Sequence, residues 1–215
     1  MTEPDVTLTD YGLAAECALF AWLLGRRDWR HGGDSRQRAR WMLFFVAGAI
    51  AAAAGGTVHG FFLDPTTIGA RLLWPLALLA VGGSALAAWA IGARLLLGAV
   101  GAPVLEGVAA AAWVAYAGAV LGGARTFAVA LGAYLPATLF LFAAFIARYR
   151  RTREPVFLAG LLSLGGTLVA AAAQHGRFAV HPVYFNHNAL YHVIQAGALW
   201  LLFAAARRLA GGRPC

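Results

Sequence analysis

Lysine is missing: all 17 basic residues of the 215-residue chain are arginine, and charged residues of any kind make up only 12% of it. So little charge excludes a soluble domain of this length, whose surface must be solvated, and a 61% hydrophobic content places the chain among membrane proteins. Cysteine is nearly absent too. Cys17 lies in an apolar run and Cys215 is the last residue, too few for a disulfide framework, and both read as free thiols. The apolar runs lack period-two alternation, which excludes outer-membrane barrel strands. A basic n-region is lacking as well: MTEPDVTLTD is acidic, so the first run is expected to persist as a helix and not to be removed as a signal peptide.

What the chain does have is long uncharged stretches of the length, about 20 helical residues, that crosses a hydrocarbon core of roughly 30 Å. Seven occur, approximately Leu8 to Leu24, Trp41 to Gly60, Leu72 to Ala93, Val104 to Leu121, Thr126 to Ile146, Val156 to Ala173 and His187 to Ala206. They predict an all-α integral membrane protein, a single seven-transmembrane helix bundle over residues 1–215.

Arginine sets the orientation. The segment between the first two runs holds six arginines, RYRRTR between the fifth and sixth holds four, the C-terminal tail holds three, and Arg94 lies between the third and fourth. Only Arg71, Arg125 and Arg177 fall on the other side. The bias predicts an N-terminus outside and a C-terminus in the cytoplasm. The net charge of +8 is then mainly a cytoplasmic rim facing anionic membrane lipids, and nucleic-acid binding is not read from it. Seven helices without lysine also exclude a retinal Schiff base. An arginine- and alanine-rich, lysine-free composition suggests a bacterial inner membrane.

With that orientation the outer end collects His59, His175, His181, His187 and His192, while His31 is cytoplasmic. Asp64 follows the second run, and Asp10 and Glu16 belong to the first, Glu16 roughly 9 Å deeper at 1.5 Å per residue. Asn188, Tyr191, His192 and Gln195 stand at i, i+3, i+4 and i+7 on one helix face. A stripe so polar is costly against lipid and is expected to line the bundle interior. Asn186 reads as the N-cap of that helix, which puts His187 at its start, about 140° away from His192 if the helix is regular there. The Gly55-Gly56 pair beside His59 allows close helix approach. Imidazoles from different helices converging on a partly dry site have the chemistry of a zinc centre, three N or O ligands with a position left for water.

This combination resembles the alkaline ceramidases and their relatives, including the progestin and adipoQ receptors. The likeness rests on seven helices, a histidine near the end of the second and histidines at the start of the seventh. In that superfamily SxxxH stands on the second helix, an aspartate early in the third and HxxxH on the seventh. His59 matches the second-helix ligand and His192 the second ligand of the seventh. Asn188 takes the place of the first, with His187 one residue before it, so either His187 supplies the missing ligand or the metal site is altered. Gly55 stands at the serine position, and the early third helix carries Arg71 where an aspartate is usual.

The resemblance implies a Zn²⁺ held by His59, His187 and His192, Glu16 or Asp64 as general base, and hydrolysis of a lipid amide or ester at outer-leaflet depth. Asn188, Tyr191, Gln195 and His175 would line the pocket. The competing readings are a non-enzymatic lipid, small-ligand or metal-binding protein of sensor or receptor type, and haem ligation by a histidine pair.

Overall fold

A computed structural model describes residues 1–26, 34–181 and 184–211; His31 and Cys215, named above, and Arg27 and Arg30 of the segment between the first two runs lie outside them. The described chain is helical, in the order α1 (Pro4–Gly25), α2 (Ser35–Phe61), α3 (Ile68–Leu121), α4 (Phe127–Thr152), α5 (Pro155–His175) and α6 (His187–Ala210). Five of these helices are long and apolar enough to cross a membrane, which makes this the architecture of an integral membrane protein; the exception is α1, which carries Asp5, Asp10 and Glu16.

Local chemistry explains the helix starts. Proline opens α1 and α5 at a position whose N–H has no intrahelical partner. The Asp34 carboxylate accepts the Arg36 and Gln37 amides of α2 at 3.0 and 3.1 Å, and the Thr67 hydroxyl accepts the Ala70 amide of α3 at 3.2 Å. Asn186 caps α6 as expected, accepting from the Asn188 and Ala189 amides at 2.8 and 3.1 Å.

Two boundaries differ from the sequence reading. α1 starts at Pro4, four residues before Leu8, so the acidic flank is its first turn, where a carboxylate meets the positive end of the helix dipole. The second difference is α3, whose 54 residues would extend about 80 Å if straight. It is two arms that meet at Gly98 (φ 66°, ψ −152°) and fold back on each other. The Tyr116 hydroxyl donates to the Leu78 carbonyl at 2.7 Å, and the Trp74 indole N–H reaches the Arg125 carbonyl at 2.7 Å. Leu78 and Val120, buried together, pin the arms. Arg94, expected in a connection, is instead in the first arm, 3.8 Å from Asp34. The reversal uses no polar turn residues, only a conformation that favours glycine. Gly98→Ala is therefore expected to cost roughly 1–3 kcal/mol, seen as a fall of several degrees in thermal unfolding of the detergent-solubilised protein.

The aromatic core lies among α1, α2 and α6: Phe20 stacks on Phe203 with ring centroids 4.2 Å apart and meets Phe45 edge-on at 5.4 Å. α1 sits between α2 and α6 and runs parallel to α6 in a fixed register, Thr9 meeting His192 and Phe20 meeting Phe203. Gly56 and Gly60 make the α1–α2 contact close: a Cβ on Gly56 would stand 2.7 Å from that of Asp10, and one on Gly60 2.9 Å from the Thr7 methyl. The expected close approach beside His59 is thus made by the acidic face of α1.

Candidate functional site

The outer ends of α1, α2 and α6 hold two histidine–carboxylate pairs. His59, in the last turn of α2, places Nδ1 2.5 Å from Glu3 Oε2. His192, two turns into α6 and buried, places Nε2 3.2 Å from Asp10 Oδ1 and Nδ1 3.0 Å from the Thr9 hydroxyl. His59 and Asp5 are both within electrostatic reach of His192. Asp5 in turn accepts the Asn186 amide at 3.0 Å, tying the first turn of α1 to the cap of α6.

Thr9 Oγ1 lies 2.8 and 3.0 Å from the carbonyls of Asp5 and Val6 as well as 3.0 Å from His192 Nδ1. With Nδ1 protonated, the Thr9 oxygen accepts from His192 and Nε2 offers a lone pair toward Asp10; with Nε2 protonated, Nε2 donates to the Asp10 carboxylate and Nδ1 accepts from the Thr9 hydroxyl. At His59 the Nδ1–H donates to Glu3, which leaves Nε2 with the lone pair, the arrangement in which a carboxylate orients a metal-binding imidazole.

The other sequence-predicted residues distribute as follows. Gln195 is buried on the same α6 face as His192, with Oε1 lacking a donor. Asn188 accepts from the Gln174 amide at 3.0 Å, and Tyr191 packs edge-on against His192 at 5.3 Å. His187 is the first residue of α6 and half-buried. His175 ends α5 exposed to its surroundings. Glu16 lies one and two turns from Phe20 and Thr9 on the face of α1 toward α6; both its carboxylate oxygens are buried without a partner. Asp64 is exposed and turned to its own loop, where its Oδ1 accepts the Thr66 amide at 2.8 Å and the Thr66 hydroxyl at 2.7 Å.

The Thr66 amide, then its hydroxyl, hold the Asp64 carboxyl below the usual carboxylate range. A depressed folded pKa makes this loop contribution complete above about pH 4 and lost as the pH falls below it. Asp64→Ala is expected to loosen the start of α3 without changing metal content, which metal analysis and thermal unfolding at pH 7 and pH 3 will check.

Sequence reasoning missed Glu3 and Thr9 and gave Asp10 no role at the histidines. The usable signal was spacing: Asp10 and Cys17 are seven residues apart on one face of a helix beginning at Pro4, and Glu3 is the residue just before it.

Among the described residues no three His, Cys, Asp or Glu side chains stand together as a metal-holding group. Two donors do have the right separation: at 3.2 Å, Asp10 Oδ1 and His192 Nε2 are as far apart as two ligands on one tetrahedral ion about 2.0 Å from each. The donor types, imidazole nitrogen and carboxylate oxygen with Glu3 and Thr9 behind them, suit zinc. No curated protein and no solved structure matches the chain. A family profile matches residues 6–211, and the chain belongs to that family, DUF6962, a family of unknown function.

Proposed function

We propose that the chain is a seven-span membrane hydrolase that acts on a lipid amide or ester at outer-leaflet depth, with a zinc ion at the His192–Asp10 pair. The observation that carries this reading is the buried pairing of His192 Nε2 with Asp10 Oδ1 at 3.2 Å, beside a second histidine–carboxylate pair, His59 and Glu3, at the same end of the bundle. The seven spans are α1, α2, the two arms of α3, and α4 to α6. The arginine bias supports an N-terminus outside, and composition supports a bacterial inner membrane. The likeness to the alkaline ceramidases supports the substrate class.

His192 and Asp10 would supply two ligands, and a third, His59, would join them by turning in from its pairing with Glu3; Thr9 contacts the His192 imidazole. Zinc bound there polarises a carbonyl and acidifies a water. Glu16 is the proton acceptor of this reading, because its two oxygens are buried on the α1 face toward α6 and bonded to nothing. Burial in the bundle keeps bulk water from competing for them.

The test is metal analysis of detergent-purified protein. Wild type is expected to hold about one zinc per chain, lost in His59→Ala with the fold retained and in His192→Ala with a lowered Tm, after which lipid amides and esters are screened for hydrolysis. Loss in His187→Ala but not in Asp10→Ala would put His187 in the ligand set in place of Asp10. Zinc without hydrolysis of any lipid amide or ester would favour the non-enzymatic metal-binding alternative, and wild type free of metal after gentle purification would overturn the zinc centre.

A further inference from the structure

At the opposite end of the bundle, a cleft of about 290 Å³ opens between the end of α1 and the start of α2, lined by Gly25, Ser35, Arg38, Ala39 and Met42. Arg38 is only 8% exposed, and its Nε is buried without an acceptor. Among the described residues it makes no hydrogen bond, ion pair or ring contact.

Its neighbours in sequence and at this end are engaged. Arg40 pairs with Glu106 at 2.7 Å, Arg94 faces Asp34 at 3.8 Å, and Arg148 lies over the Phe157 ring at 5.3 Å. An arginine cannot shed its charge, so a largely buried side chain whose Nε lacks an acceptor is costly unless an anion joins it, and the two terminal nitrogens, which are not buried, are open to one.

We propose that this cleft binds a phosphate group through Arg38. The guanidinium fork matches two phosphate oxygens, and the Ser35 hydroxyl at the rim adds a donor. Asp34, the carboxylate closest in sequence among the described residues, is turned to the Arg36 and Gln37 amides and to Arg94. Because Asp34 already caps α2, recognition rests on the side chain and not on the helix terminus. The remaining wall, Gly25, Ala39 and Met42, is apolar and suits the glycerol and first methylenes of an anionic phospholipid. This site is independent of the hydrolase reading.

The experiment is thermal unfolding of the full chain in neutral detergent with dioctanoyl phosphatidylglycerol, inorganic phosphate, or dioctanoylglycerol, which lacks phosphate. Near saturation the phosphatidylglycerol is expected to raise Tm by about 5–10 °C. Dioctanoylglycerol is expected to do nothing. Arg38→Ala removes the shift, and should it fail to fold, Ala39→Trp, which fills the cleft from an exposed position, removes it with Arg38 in place. A shift from phosphatidylglycerol alone identifies a lipid headgroup; an equal shift from inorganic phosphate identifies a free phosphate compound. No shift with either phosphate probe, or an undiminished shift in Arg38→Ala or Ala39→Trp, overturns the proposal.

Discussion

Replacing His192 with alanine is expected to strip the zinc and to weaken the fold in one step. The His192 and Asp10 side chains are 10% and 8% exposed, so neither is replaced cheaply by water. Removing the imidazole leaves Asp10 buried against Gly56 with no partner, a loss of about 3–5 kcal/mol for a broken buried pair. Zinc content should fall from about one per chain to below about a tenth, since two of the remaining donors cannot hold the ion. Thr9→Val is the milder counterpart. It keeps both donors but removes the hydroxyl that holds Nδ1, so zinc affinity should drop about 10- to 100-fold with little effect on folding. A double-mutant cycle between His192→Ala and Asp10→Ala should show a coupling of about 1–3 kcal/mol in thermal unfolding. Strictly additive losses, with zinc retained in both single variants, would mean that the two side chains do not act as a unit.

How much of this was legible in the sequence differs by residue. The α6 stripe was readable because a helix gives Asn188, Tyr191, His192 and Gln195 one face whatever surrounds it, and Asn186 signals a cap through its own side chain. His59 was readable by its depth. Their partners were not, because a charged N-terminal flank before an apolar run resembles a solvated tail, and only the α1–α6 register turns Thr9 and Asp10 toward His192. The zinc set read from sequence included His187, whereas the pairings in the structure join His59 to Glu3, at the N-cap of α1, and His192 to Asp10. The reversal at Gly98 was hidden for the opposite reason. LLLGAVGAP carries none of the polar residues that usually mark a turn, and a single left-handed glycine makes the bend. Arg38 was counted only as part of a basic rim, since charge alone does not tell an exposed arginine from a buried one.

Glu16→Gln separates a catalytic carboxylate from a structural one. The amide has the shape of the acid without a charge to bury. If the carboxylate served the fold, something would hold it; among the described residues nothing does, and a buried unpaired carboxylate costs stability. The variant is therefore expected to unfold at the same or a higher temperature than wild type and to keep its zinc. Hydrolysis of the lipid substrate, in contrast, should fall about 100- to 10,000-fold, the contribution of a positioned general base. Retained stability with lost turnover is the mark of a group kept for chemistry at the expense of the fold. A lowered Tm with unchanged turnover would place Glu16 among the packing residues of the α1–α6 seam and overturn its role as proton acceptor.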